Sequence, residues 1–531
     1  MLRFNRLFLL LHLGASLVVL LLLLLQTRPV GLPDLKLQAG ERLSCLSYAP
    51  YHRDGRTPFD PTASISRAEI VADLVVLAPL TRCVRTYAVH QGLEQVPDVA
   101  RELGLRVWLG AWVGHDAQHN RRELETALDL AERYPDVVRG LIVGNEVLLR
   151  REQPEGALKA LLEEARQRAP VPVTYADVWE FWLRHPNLAD SVDFLTVHIL
   201  PYWEDEPVAV EAAVAHVDKI HARLQQHFGK PILIGETGWP SRGRQREAAR
   251  PGKVEQARYI RGFVEKARVK GWDYNIIEAI DQPWKRQLEG TVGGHWGLLD
   301  AHLKPRFSFV GAVSERDTLG PPLLVAGFGV LVVAAGLILG RGRATCRTGL
   351  AGALAAGFWL GLTLYLAWEH GMAAYRNLWE WSVLGSVALL GAALTLAPVW
   401  MSRRHTGAYA AYQAGDWLAG LQAGIRLALL FAAATAAVLL LADPRYRDFP
   451  FWLYLLPLPT LLAQSAWRQE EGREEGILAV VLIVCGAARW LQEPGNPEAQ
   501  AWAGLCLLLG APVLANIRSA RRVAGAALSG Q

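Results

Sequence analysis

The sequence lacks most of the marks by which a function announces itself. Five cysteines in 531 residues are too few for a disulfide framework. Cys45 and Cys83 fall near two expected neighbouring strands. Free buried thiols are the expected state, with one bridge open to them if the domain faces an oxidising compartment. The net charge is only +4, and neither zinc-finger spacing nor a basic aromatic patch is present, so no nucleic-acid partner is expected. A Gly-rich phosphate turn is missing, which disfavours a doubly wound nucleotide-binding sheet. So are an Asp-x-Asp motif and a Gln-x-x-Arg-Trp run, leaving nothing of a nucleotide-sugar transferase. No cofactor is expected. No metal site is expected either: His115-Asp-Ala-Gln-His119 has histidines at i and i+4, but Asp stands where a metalloprotease helix has Glu. Asn120-Arg-Arg-Glu123 reads as a helix cap with a reciprocating Glu, which leaves the histidines in a loop above the third strand.

What is present divides the chain. Its length exceeds one ordinary domain of about 150 residues. Residues 1–28 begin with Arg3 and Arg6, followed by an apolar run from Leu7 to Leu25 long enough to span a bilayer. Leu25-Gln-Thr-Arg-Pro29 offers no small-x-small cleavage site, so a retained anchor is expected. Residues 40–315 have the mixed composition of a globular domain. Residues 320–520 repeat long apolar runs, with about seven spans expected near 322–340, 349–368, 380–400, 420–442, 449–467, 476–491 and 500–516. Arg341, Arg343 and Arg347, then Arg403 and Arg404, then Arg518, Arg521 and Arg522 follow alternate spans. This asymmetry predicts a multi-pass inner-membrane protein with its globular domain on the periplasmic, extracytoplasmic side. Arg426 and Arg489 fall in or near expected spans, where snorkelling to an interface is the common fate of Arg489.

Within 40–315, short apolar runs alternate with amphipathic ones. Strands are expected at Ser44–Tyr48, Cys83–Tyr87, Arg106–Ala111, Gly140–Val143, Val171–Tyr175, Phe194–His198, Pro231–Gly235 and Tyr274–Ala279. Helices are expected to Arg133, where Tyr134-Pro135 ends the first, and over Glu155–Arg168, Glu211–Gln226 and Lys253–Lys270. Eight βα units of this size predict a TIM (β/α)8 barrel, followed by an all-α polytopic membrane domain.

Two strands end alike. Gly140-Leu-Ile-Val-Gly-Asn-Glu146 and Pro231-Ile-Leu-Ile-Gly-Glu236 each run from apolar residues through Gly to a carboxylate. A solvated loop is the ordinary place for a Glu, but two at the C-terminal ends of barrel strands face each other across the mouth. Retaining glycosidases require such a pair, roughly 5 Å apart.

Val143-Gly-Asn-Glu-Val-Leu-Leu-Arg150 and Ile234-Gly-Glu-Thr-Gly-Trp-Pro-Ser241 resemble the two motifs of the family 17 glycoside hydrolases, β-1,3-glucanases and β-glucan transglycosylases on a TIM barrel. The resemblance extends to Val84-Arg-Thr-Tyr87, Leu200-Pro-Tyr-Trp203, Glu278-Ala-Ile-Asp-Gln-Pro-Trp-Lys285 and His295-Trp-Gly-Leu-Leu-Asp300. It implies Glu146 as acid/base, with a raised pKa, and Glu236 as nucleophile. It implies that Asn145 bonds the sugar 2-hydroxyl and that Tyr87 and Tyr202 bond near the nucleophile. Trp203, Trp239 and Trp284 become stacking platforms, and Tyr48, Arg85, His198, Glu278 and Lys285 substrate contacts. His198 could equally be a satisfied core histidine, and Glu204-Asp-Glu206 reads as a solvated loop. Gln282 stands where fungal relatives have Glu, and Gly293-Gly294 near another of their acidic residues, which suggests a more open mouth. With its membrane spans the chain is similar to a bacterial branch that builds or remodels β-glucan. The expected partners are therefore a β-glucan, the lipid bilayer and a glucan synthase or export component. The alternatives are a β-glucan endohydrolase, a non-catalytic glucan-binding component of an export system, and a membrane scaffold.

Overall fold

A computed structural model describes residues 2–38, 40–339, 347–401, 417–466 and 472–529. Arg341, Arg343, Arg403 and Arg404, and the side chains of Arg521 and Arg522, lie outside what it describes. The chain divides into two units. One comprises Val30–Gly243 and Ala248–Val313, the other Met1–Pro29, Arg244–Glu247 and Ser314–Gln531.

All eight expected strands form in the first unit: β1 Leu46–Ser47, β2 Cys83–Arg85, β3 Arg106–Ala111, β4 Val138–Asn145, β5 Val173–Val178, β6 Leu195–His198, β7 Ile232–Thr237 and β8 Asp273–Ile276. They pair in parallel, each with its sequence neighbour, and β8 returns to β1 to close the barrel. Strand residues alternate between the barrel interior and the helices around it. Cys45, Cys83, Trp108, Ile142, Ala176 and Leu233 make one buried cluster. Leu46, Val84, Val107, Leu141 and Val143 belong to a larger one that includes helix residues such as Leu124, Leu158 and Leu224.

Cys45 and Cys83 are joined in a disulfide, which overturns the expectation of free thiols. The register explains it. Leu46 pairs with Val84 across β1 and β2, so the preceding residues face each other with Cα atoms 4.4 Å apart, within reach of a bridge.

The first long helix also differs from expectation. Its cap is Asp116, whose carboxylate accepts from the backbone N–H of Gln118 and His119, and the helix runs Ala117–Arg133. Asn120 is buried one turn inside, bonding both the N–H and the carbonyl of Gly114. Asp competes well as a cap because its side chain reaches two orphan amides at once. Helices Glu155–Arg168 and Lys253–Lys270 form as expected, and Val210–Phe228 covers the third.

In the other unit, six helices among the described residues are long and apolar enough to cross a membrane: Arg3–Gln26, Gly320–Leu339, Arg347–Ala374, Leu378–Val399, Gly420–Ala442 and Pro497–Arg518. Gly320–Leu339 and Arg347–Ala374 touch backbone to backbone: a Cβ on Gly329 would lie 2.1 Å from the Gly357 carbonyl, the close approach that small residues permit between apolar helices. Two expected spans differ. Residues 449–467 hold two short helices, Phe451–Leu455 and Leu458–Ser465, broken at Leu456-Pro457. The Leu456 carbonyl freed by the break accepts from Trp359 Nε1 at 2.8 Å and Thr395 Oγ1 at 3.3 Å. Residues 476–491 lie in helix Arg473–Gln492, which is not among the six. Arg489 does not snorkel; it is 2% exposed and paired with Glu493. Arg426 stands 3.9 Å from Glu475.

Candidate active site

Glu236 belongs to β7 itself and is 4% exposed. Glu146 follows the last residue of β4 and turns into a left-handed backbone, φ 52°. That conformation costs a residue with a Cβ about 1–3 kcal/mol and persists where neighbours hold it. Here the Glu146 N–H donates to the Ala176 carbonyl at 2.7 Å, and its own carbonyl accepts from the Arg150 N–H at 2.9 Å.

The strand register assembles the rest. His198 pairs with Glu236 across β6 and β7. Its Nδ1 lies 3.0 Å from Glu146 Oε1 and its Nε2 3.6 Å from Glu236 Oε1, so the buried imidazole bridges the two carboxylates. One carboxylate oxygen from each Glu and a ring nitrogen of His198 all fall within 4.8 Å of one another. The same three groups could in geometry receive a cation. Positive charge is already supplied, however, by the buried Arg85, whose Nη1 donates to Glu236 Oε1 at 3.1 Å and to the Gly235 carbonyl at 2.7 Å. Its Nη2 donates to Asn145 Oδ1. Tyr87 donates to Glu236 Oε1 at 2.8 Å, and its hydroxyl oxygen lies 2.9 Å from Ser47 Oγ, which can donate to it. Glu236 thus meets a guanidinium and a phenol on one oxygen.

Glu146 does not carry the raised pKa expected of it. Burial pushes its carboxyl up, but the hydrogen bond and charge of His198, helped by Arg150 and Lys285, bring it below the usual range.

The structure sorts the remaining expected residues. Glu278, buried, pairs with Lys285. Burial works against the charge of Lys285, but Glu278 and Glu289 outweigh it and hold the ammonium. Trp203 and Trp284 are half-buried and keep exposed surface. Trp239 is fully buried, packed on Tyr259 and donating to the Arg250 carbonyl at 2.9 Å, so it is packing and not a platform. Tyr202 is fully buried among Trp203, Trp239 and Trp296. The Tyr48 hydroxyl is spent on Asp73 at 2.9 Å. Glu204 is no solvated carboxylate; it accepts from Trp179 Nε1 at 3.1 Å and lies 3.2 Å from His216 Nε2. Gln282 ties the Ala49 and Ile280 carbonyls to Trp284 Nε1.

The paired glycines do not open the mouth. Gly293 and Gly294 are buried, and a Cβ on Gly293 would meet Glu289 Cβ at 2.6 Å. They let the short helix Arg286–Glu289 settle close. Its Glu289, raised in pKa by burial, is within electrostatic reach of Lys285, Glu146 and Glu236. Sequence reading missed this carboxylate because no strand end marks it. It also missed Asp177, buried at the end of β5, bonded to Tyr175 and pushed up to about 6 chiefly by burial. That one had a signal: a carboxylate at a strand's C-terminal end, as at Glu146 and Glu236.

Residues 45–297 match the family model of the BtgE/BtgC glycoside hydrolase domain. The match takes in both motif-bearing strand ends and supports the resemblance read from them. Among curated proteins, the barrel is 28% identical over 273 residues to a glucan endo-1,3-beta-glucosidase of Emericella nidulans, covering 45% of this chain and 42% of that one. It is 29% identical over 234 residues to a glucan 1,3-beta-glucosidase of Schizosaccharomyces pombe, covering 41% and 73%. This chain thus spans about two fifths of the length of the first of these relatives. A solved structure, an active-site mutant of Rhizomucor miehei beta-1,3-glucanosyltransferase in complex with laminaritriose, shares 23% identity, a TM-score of 0.44, and coverage of 52% of this chain and 98% of that one.

Proposed function

We propose that this glycoside hydrolase barrel is a membrane-anchored retaining enzyme acting on β-1,3-glucan, and that it transfers the glycosyl group to a sugar acceptor. The observation that carries the reading is the separation of Glu146 and Glu236, whose nearer oxygens lie within 4.8 Å. That suits direct attack by one carboxylate; an inverting pair stands about 6.5–9.5 Å apart to admit a water. The names of the curated relatives support β-1,3-glucan as substrate.

Glu236 attacks the anomeric carbon while the glycosidic oxygen leaves with the proton of Glu146, and a glycosyl ester forms on Glu236. Glu146, now ionised, takes the proton of an acceptor hydroxyl. That oxygen attacks the same carbon, and Glu236 is released. Arg85 and Tyr87 both donate to Glu236 and hold it aimed. Asn145, itself oriented by Arg85, is placed for the 2-hydroxyl. Sugar closing over the mouth adds to the desolvation of Glu146, the influence that raises its pKa.

The apolar helix Arg3–Gln26 supports anchoring, and the buried Cys45–Cys83 bridge supports an oxidising compartment for the barrel. A glucan synthase or export component as partner belongs to the same reading.

The test is incubation of the detergent-solubilised chain with a short β-1,3-glucan, followed by product sizing and linkage analysis. Longer or newly linked products support transfer. Only shorter products mean hydrolysis, and no change in the glucan sinks both. Sugar and water compete for one ester, and about 1.4 kcal/mol between their barriers shifts the outcome tenfold.

A further inference from the structure

A second group of ligand-type side chains converges in the barrel unit, apart from the catalytic pair. His90, His119 and Glu123 each offer one ligand atom, and the three atoms lie within 4.8 Å of one another. They come from separate pieces of chain. His90 is on the loop after β2. His119 and Glu123 lie at i and i+4 in the first turns of helix Ala117–Arg133, on one face of it. The histidine pairing suggested by the sequence fails because His115 precedes the Asp116 cap. The partner of His119 comes from the loop after β2 instead.

The carboxylate is already aimed. Glu123 is 2% exposed, and its Oε2 accepts from the backbone N–H groups of Val89 at 3.0 Å and Trp112 at 2.9 Å. Those two bonds fix the carboxylate and turn Oε1 towards the histidines. His90 Nδ1 is 2.7 Å from Oε1. The rings of His90 and His119 stand 4.9 Å apart at 80°. A simple hydrogen bond accounts for His90 and Glu123. It gives no reason for a second imidazole to stand edge-on beside the first. Two imidazoles and a pre-oriented carboxylate around one point are the donors of a three-ligand site whose carboxylate is held by outer-shell bonds. His90 remains 33% exposed, which leaves a side for water.

We propose that His90, His119 and Glu123 bind a divalent transition-metal ion, Zn2+ by donor type, with water as fourth ligand. The nitrogen donors select against Ca2+ and Mg2+, which take oxygen ligands. The ion ties the loop after β2 to that after β3 through the helix. The Glu123 carboxylate also holds the backbone of Trp112, whose ring lies under the Arg150 guanidinium at 4.3 Å, beside the strand end that bears Glu146. The ion takes no part in bond making. The proposal does not rest on the glycosidase reading.

The test is calorimetric titration of ZnCl2 into the metal-stripped full-length chain in detergent, with Co2+ substitution as a spectroscopic check. One equivalent should bind, Co2+ should show the visible bands of a tetrahedral site, and Zn2+ should raise the Tm. Losing even a supporting partner weakens metal sites 10–100-fold, so H90Q and H119Q should weaken binding by about 100-fold or more. H115Q should bind as the parent does. H119Q is a polar swap at a helix surface that tolerates Gln, so the variant folds and its result counts. Absence of saturable binding, or binding and Tm shifts that survive both H90Q and H119Q, overturns the proposal.

Discussion

The ends of β4 and β7 carry the same local pattern, an apolar run, a glycine and a glutamate, yet the fold gives the two carboxylates different surroundings. Glu236 stays in the strand, with Arg85 and Tyr87 both donating to one of its oxygens. Glu146 lies just past its strand in a left-handed backbone and meets His198. A carboxylate that accepts from a guanidinium and a phenol on one oxygen is held in place by fixed donors. One whose main partner is an imidazole has a neighbour that can itself gain or lose a proton. The motif alone leaves the two carboxylates symmetrical; Arg85 from β2 and His198 from β6 give them different neighbours.

The most severe way to break the comparison is to replace each carboxylate in turn. E236Q removes the proposed nucleophile and should cut turnover on a β-1,3-glucan by about 10⁴-fold or more. E146A removes the proposed acid/base and should cost about 10²- to 10⁴-fold. Only E146A should recover with azide, giving a β-glycosyl azide, because a small anion can attack an ester that still forms. Azide rescue of both variants, or of neither, would mean the roles are not divided this way. Product analysis by mass spectrometry and NMR decides it.

How far this difference could be read beforehand varies with the range of the interactions. The strands were legible because each is a short apolar run between turn residues, and β3 forms over its expected span. The two glutamates were legible because they continue those runs. Asn120 and Glu123 imitate a capping box and hide Asp116 as the cap; the partners of Glu123 are Val89, His90 and Trp112, contacts across the fold. The Cys45–Cys83 bridge depends on the register of two strands 38 positions apart. Glu289 depends on two glycines that permit close packing. In the helical region, five of the seven expected spans coincide with long apolar helices, and hydropathy missed the break at Leu456, whose carbonyl accepts from Trp359 and Thr395 of other helices.

A smaller effect is expected from the side of Glu236. R85M removes the donor shared by Glu236, Gly235 and Asn145. Loss of one pre-organised donor at a reacting centre costs about 10²- to 10³-fold in kcat, and this is expected here. R85K restores charge but cannot span Glu236 and Asn145 at once with a planar fork, so it should recover only part. Equal activity in R85M and the parent would show that Tyr87 alone suffices for Glu236. Thermal unfolding of each variant separates lost chemistry from lost fold.

The smallest change sharpens the side of Glu146. Burial raises the Glu146 pKa, and His198 is the first of the influences that lower it. Replacing His198 by Asn removes that lowering and leaves burial, so the pKa of Glu146 should rise. In the proposed mechanism the acid form of Glu146 is required in the free enzyme, and its loss sets the alkaline limb of kcat/KM. That limb should therefore move to higher pH in H198N, with a fall of about tenfold at the optimum from the lost positioning. A purely structural histidine would lower the whole profile without displacing it. Displacement towards lower pH would mean that the proton lost on the alkaline limb belongs to His198 and not to Glu146, and the acid would then be the imidazole–carboxylate pair acting together.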